Sequence, residues 1–446
     1  MPVTASVVVE SLIGAGMDPG ERDSKQALFA AVLESHAALG DAPPHWIYWV
    51  PGRLEVFGKH TDYAGGRTLV CAVPRGFAVA VTPRTDGRVR IVDTKRGDEL
   101  TVLLSEGSGL HAGWRRYAEV TVRRMARNFP GSRLGADIVL ASDLPSASGM
   151  SSSSALIVAV AVALGRAGNL GQHPAWTANI HTSLDAAGYY ACIENGRSFA
   201  ALEGDGGVGT HGGSEDHTAI VEGRPRHVSA FAFVPPRAIG SASVPDAWRF
   251  VIAPSGVAAR KTGEAKLPYN RLSNGVSRLL EAWNKSLPAE TGRRLPSLAA
   301  ALNSDLQAID RLRDLCDAAA TDDMPAAWLR ERLDHFVRED ARIEPALAAF
   351  AAADAAAIGG LAADSQRDAE TLLRNQVPAT SALAAQARAL GAIGACSFGA
   401  GFGGAVWALV RTGEAAGFAR RWHPSAFVMT PGPAVTELSP RTTTIP

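Results

Sequence analysis

Hydrophobic positions along this chain fall into two regimes, a mixed first half and a helix-rich second half. Residues 24–39 repeat their apolar positions at helical spacing and stop at Gly40. WIYWV then predicts a strand ending at Pro51, followed by a long glycine-containing loop. LVCAV, FAVAVTP, IVDTK and ELTVLL predict four further strands with polar breaks between them. Residues 114–128 predict a helix, ADIVLASDLP a strand, and the apolar run from Ser151 a long helix closing near Gly168. Another helix is expected over roughly 184–201. Residues 225–245 carry several prolines, which places a domain boundary close to 221–227. Beyond it, the alanine-rich stretch 299–363 is interrupted by Leu, Asp and Arg at helical spacing and predicts ordinary helices. GACSFGAGFGGAVWALV predicts a strand, a glycine loop and a second strand. The expectation is an α+β protein of two domains, residues 1–224 and 225–446.

Composition narrows the function. A chain of 446 residues is too long for one ordinary core, and 46% hydrophobic with 20% charged residues indicates a globular protein. Lys plus Arg and Asp plus Glu both count 44, so no bulk field draws the chain to nucleic acid or membrane. The four cysteines lie far apart with no CxxC pair, as expected of reduced thiols. The opening residues lack the basic start and apolar core of a signal peptide, and no run of about 18 apolar residues occurs. A cytoplasmic setting is expected.

Four segments carry candidate chemistry. DLPSASGMSSSSAL (143–156) places small residues and serines directly before a helix. Free N–H groups and the positive dipole end there make a phosphate cradle, and the hydroxyls can meet a phosphate or magnesium. A serine-rich N-cap is the structural alternative. The Walker A pattern GxxxxGK[ST] occurs nowhere. PGRLEVFGKHTDYAGG (51–66) crowds Arg53, Lys59, His60 and Asp62 into one loop, a set able to grip several hydroxyls. HGGSEDHTAI (211–220) presents Asp216 as a candidate base, with Glu194 upstream; its two histidines lack further ligands at zinc spacing. SFGAGFGGAVWALV (397–410) matches GxGxxG formally, but strand-like residues follow where a dinucleotide site needs a helix. Its glycines are better explained by close backbone approach, to a ligand or to the other domain.

Taken together, and in this order, the four segments resemble the GHMP small-molecule kinases, the galactokinase branch in particular. PGRLEVFGKHTDYAGG resembles the galactokinase signature around GRxNxxGEHTDY, and LPSASGMSSSSA is similar to the PxGxGLSSSAS phosphate loop. GGSEDHTAI sits where galactokinases have GGxMDQ, SFGAGFGGAVWALV resembles their third motif, and Tyr269-Asn270-Arg271 resembles the YNxR segment near the sugar. The similarity runs from about residue 43 to 433 and includes NQVPAT (375–380).

The resemblance implies a two-domain GHMP kinase fold with the active site in the cleft between the domains. It implies that Asp216 accepts the proton of the anomeric hydroxyl and that Arg53 stabilises the alkoxide and the transferred phosphoryl. It implies ATP cradled by Pro145, Ser148, Gly149, Met150, Ser151, Ser152 and Ser153, and Mg²⁺ held by Ser152 and Glu194. His60, Asp62, Gly213 and Tyr269 would face the sugar. The expected partner is a small sugar or sugar acid, with neither nucleic acid nor membrane, and the chain a monomer or weak dimer.

Three positions depart from the pattern: Lys59 stands for the glutamate that accepts the sugar's 6-hydroxyl, Glu55 for an asparagine, and His217 for a glutamine. An ammonium facing C6 would suit the carboxylate of a hexuronic acid, so galacturonate is the expected substrate. The alternatives are Lys59 neutralised by Glu55, or turned to solvent, in an ordinary galactokinase, and a galactokinase-like sensor without turnover.

Overall fold

The computed structural model describes residues 3–40, 42–105, 109, 111–145, 149–258, 266–288 and 294–438. Two sheets organise the described residues. The first takes β1 (Trp46–Phe57), β2 (Arg67–Pro83), β3 (Arg88–Asp93), β4 (Asp98–Leu103), β5 (Ala136–Ser142), β6 (His227–Ala232) and β7 (Arg237–Ser243). The second takes β8 (Trp248–Pro254), β9 (Gly394–Phe398), β10 (Ala405–Arg411) and β11 (Phe427–Met429), while β12 (Thr436–Glu437) returns to the first. The orders are β12-β1-β2-β5-β3-β4, with β6 pairing both β2 and β7, and β11-β8-β10-β9.

The mixed α+β architecture follows the expectation, and the helix Trp114–Asn128 lies where the periodicity places it. Several boundaries do not. β1 runs through Pro51, because a register shift between Pro51 and Arg53 absorbs the proline; such bulges re-aim the next side chain. LVCAV and FAVAVTP are two halves of β2. Pro74 lies between the stretch that pairs β6 (67–70) and the stretch that pairs β5 (77–83), so its missing N–H costs neither ladder a bond. The helix expected to reach 201 is Ser183–Asn195, ended by Gly196 at φ 79°. The boundary after residue 224 does not separate the sheets either: β6 and β7 follow it yet belong to the first sheet.

The helix Ser152–Ala167 is buried along most of its length and lies in the main core with β1 and β2. That core is continuous between the sheets: Phe57, Trp407 and Phe250 stand edge to face at 5.8 Å for each neighbouring pair. The helices Lys266–Ser286, Ala308–Ala319 and Ala326–Ala341 pack into a separate apolar cluster that also takes in Ala64, just past the Lys59–Asp62 loop. Among the described residues no helix is long and apolar enough to cross a membrane.

Candidate active site

Arg53 leaves β1 just after the bulge and is almost wholly buried. Its three nitrogens meet three different residues, two of them neighbours on one helix. Nη1 donates to the carbonyl of Gly149 at 2.5 Å, Nη2 pairs with Asp216 Oδ1 at 2.6 Å, and Nε lies 3.2 Å from Glu215 Oε1. Burial alone would lower its pKa; Asp216, Glu215 and Glu55 outweigh it and raise it further. The two acidic residues open the short helix Glu215–Glu222, where a carboxylate is favoured by the dipole. Burial pushes the Glu215 carboxyl well above the usual range, and Glu55 adds to it.

Residues of the serine-rich loop gather on Arg53. The Met150 carbonyl accepts from the Arg53 backbone N–H, and the Gly149 carbonyl lies 3.0 Å from where a Cβ on Gly399 would sit, so the glycine loop between β9 and β10 touches the serine-rich loop. Ser151, at φ 55°, precedes the helix without a side-chain cap, so no N-cap side chain occupies the helix's first N–H groups, a terminus suited to an anion. Pro145 ends the described stretch before the loop, and Ser148 lies outside the described residues. Asp143 anchors the loop's start, accepting from Gly76 N at 2.7 Å and Lys25 Nζ at 2.5 Å.

One expectation shifts along the serine run. Ser152 is exposed at the helix start, and the hydroxyl that reaches Glu194 belongs to Ser154, at 2.8 Å. Ser154 also donates to Asp216 Oδ2 at 3.2 Å, and His217 Nε2 lies 3.3 Å from Glu194 Oε2. The donor chemistry fits magnesium: a carboxylate and a hydroxyl oxygen beside a helix terminus that suits phosphate, since Mg²⁺ is commonly bound through one or two carboxylates plus substrate phosphates.

His60, Asp62, Gly213 and Tyr269 form the opposite wall. His60 hydrogen-bonds Tyr63 Oη at 2.9 Å and the Ala400 carbonyl at 3.0 Å, with its ring 5.4 Å from that of Tyr269. Asp62 Oδ2 accepts from Glu215 N at 3.1 Å, tying this wall to the helix of Asp216. Gly213 must be glycine here, since a Cβ would sit 2.3 Å from Asp62 Oδ2. Gly213→Ala should therefore displace Asp62 and raise the KM for sugar by up to about 100-fold while moving the KM for ATP little, as steady-state kinetics would show.

Lys59 is not part of this wall. Gly58 at φ 106° and His60 at φ 58° turn the chain so that His60 lines the cleft and Lys59 runs into the interior, fully buried. Its ammonium donates to Ser365 Oγ at 2.9 Å and Cys396 Sγ at 3.1 Å, 4.0 Å from Glu339 Oε1. Burial works against the charge, but Cys396, Glu339 and Glu55 hold its pKa above the ordinary value. Glu339 also accepts from the Gly58 and Lys59 N–H groups, and Arg332 donates to the His60 carbonyl at 2.5 Å. The helix Ala326–Ala341 thus holds the loop from behind.

The result is a cleft of about 490 Å³, part of it open to solvent, lined by Arg53, Asp216, Glu194, His60, Asp62 and Tyr269 among others. Residues 35–83 match the galactokinase galactose-binding signature, residues 116–190 the GHMP kinases N terminal domain, and residues 346–428 the GHMP kinases C terminal domain. The chain belongs to the galactokinase branch of the GHMP kinases. It is 28% identical to a galactokinase of a Roseiflexus species over 378 residues, 82% of this chain and 84% of that one. It is 29% identical to a galactokinase of Mycobacterium bovis over 366 residues, 81% and 88% of the two chains. In fold, this GHMP kinase resembles the Lactococcus lactis galactokinase solved with galactose, at TM-score 0.69 and 22% identity over 91% of this chain and 99% of that one. The fold is shared more distantly with the Methanococcus jannaschii mevalonate kinase, at TM-score 0.54 and 12% identity over 86% and 98%.

Sequence reasoning missed Ser154, Glu215 and Glu339. The first two stand beside residues it did select, and only the helix phase decides which of four consecutive serines faces Glu194. Glu339 lies 280 residues from the loop it holds, and no local signal marks it.

Proposed function

We propose that this chain is an ATP-dependent sugar-1-kinase, moving the γ-phosphoryl of ATP to the anomeric hydroxyl of a neutral, galactose-like sugar. The observation that carries the reading is Arg53, which touches the candidate base Asp216 and the phosphate-loop carbonyl of Gly149 at once. Phosphoryl transfer needs positioning and charge neutralisation more than covalent help from the protein. Asp216 takes the proton of the attacking hydroxyl. Arg53 pairs with that carboxylate and presents positive charge between the alkoxide and the phosphates. The helix N-terminus at Ser152 orients the phosphate chain, and His60, Asp62 and Tyr269 orient the sugar. A magnesium ion held at Glu194 and Ser154 would neutralise charge on the phosphate oxygens.

The expectation of a hexuronic acid rested on Lys59, whose amine lies in the interior rather than at the cleft. The cleft lining instead carries Glu55, Asp62, Glu194, Glu215 and Asp216 against one guanidinium, a setting that favours an uncharged polyol over an anion. An ATP-consumption screen over galactose, galacturonate, glucuronate, glucose and N-acetylgalactosamine tests both parts. Galactose should be turned over with kcat/KM at least about tenfold above galacturonate, a difference of about 1.4 kcal/mol. A preference for the acid would refute the neutral-sugar reading, and no turnover of any sugar would favour a sensor that binds without catalysis.

A further inference from the structure

Glu215 is a buried carboxyl in the cleft that the proposed chemistry leaves without a task. It is 4% exposed, it lines the cleft, and its Oε1 has no hydrogen-bond partner although Arg53 Nε lies 3.2 Å away, out of hydrogen-bonding alignment. A buried polar atom without a partner carries a desolvation cost, which a substrate hydroxyl would offset. The order of contacts around Arg53 fixes the side on which that hydroxyl would lie. Nη1 faces the phosphate loop at Gly149, Nη2 faces Asp216, and Nε faces Glu215. Glu215 is therefore at the guanidinium's far end from the phosphates, and its own N–H is held by Asp62, on the wall shared with His60 and Tyr269.

We infer that Glu215 is a specificity-determining residue: its Oε1, ion-paired with Arg53 but receiving no hydrogen bond, accepts one from a non-anomeric hydroxyl of the sugar, next to the hydroxyl that Asp216 deprotonates. The inference rests on the sugar-kinase reading and adds a residue to it. A purely structural role, a second clamp on Arg53, would affect every sugar alike. Recognition of one hydroxyl would not.

The test measures kcat/KM for galactose and for its 2-, 3-, 4- and 6-deoxy analogues, in wild type, Glu215→Met and Glu215→Gln. With wild type, one analogue should fall about 10- to 100-fold below galactose through loss of the hydrogen bond to Glu215. Glu215→Met should lower galactose by a similar factor, leave the KM for ATP within about twofold, and lose its discrimination against that one analogue only. Glu215→Gln, which keeps an acceptor oxygen, should recover most of that discrimination. Equal losses by Glu215→Met across galactose and all four analogues overturn the inference, as does a Glu215→Met variant as active and as selective as wild type. Should Glu215→Met not fold, Glu215→Gln decides alone: a loss of discrimination confined to that one analogue, however partial, supports the contact, and a uniform loss or unchanged kinetics overturns it. Failure of wild type to phosphorylate galactose at all is a separate result, which overturns the kinase reading on which this one rests.

Discussion

Asp216→Asn should lower kcat by about 10²- to 10⁴-fold while leaving the fold and ATP binding intact. A positioned general base contributes about that factor, and the amide cannot take the proton. The variant should fold because Arg53, buried and cationic, keeps Glu215 at 3.2 Å and the Gly149 carbonyl at 2.5 Å when Asp216 loses its charge. ATP binding should survive because the phosphate loop and the Ser152 helix terminus are untouched. Circular dichroism, nucleotide titration and kcat on galactose check the three parts. Were kcat to stay within about tenfold of wild type, Asp216 would not be the base.

Glu339→Ala should be the most damaging change away from the cleft, costing about 3–5 kcal/mol of stability in urea unfolding. Glu339 is fully buried and accepts from Gly58 N at 2.9 Å, Ser365 Oγ at 2.9 Å and Arg342 Nη1 at 2.6 Å, with Lys59 Nζ at 4.0 Å. Its removal leaves a buried ammonium and two backbone donors short of an acceptor at the start of the sugar loop. Burial opposes its charge, but Lys59, Arg342, the Gly58 N–H and Ser365 outweigh burial and hold its pKa below the ordinary value. Its folded pKa lies below the unfolded one, so its contribution is complete above the unfolded carboxylate value and is lost as pH falls through the folded one. The difference in stability between wild type and Glu339→Ala should therefore narrow on acidification. A cost under about 1 kcal/mol at neutral pH would show that this network does not hold the loop.

What the sequence made legible was local. Loops such as 143–156 and 397–410 announce their chemistry through small residues, glycine and hydroxyls within a dozen positions, and the structure brings both onto Arg53. The failures have a common cause in partners distant along the chain. Lys59 looked like a cleft residue because its neighbours His60 and Asp62 are cleft residues; its burial depends on Glu339, Ser365 and Cys396, which only the folded chain places beside it. Pro51 and Pro74 looked like strand ends, since neither a register shift nor a change of sheet partner can be seen in periodicity. The same holds for the division at residue 224, where prolines mark a turn but β6 and β7 still belong with β2.

The account stands or falls on where the phosphate goes. Wild-type protein, ATP, Mg²⁺ and galactose can be mixed, and the sugar product examined by phosphorus and carbon NMR. The account predicts a single sugar phosphate whose phosphorus couples to the anomeric carbon, and no such product with Asp216→Asn over the same period. A phosphate on any other hydroxyl, or ATP consumed with no phosphorylated sugar formed, would contradict it.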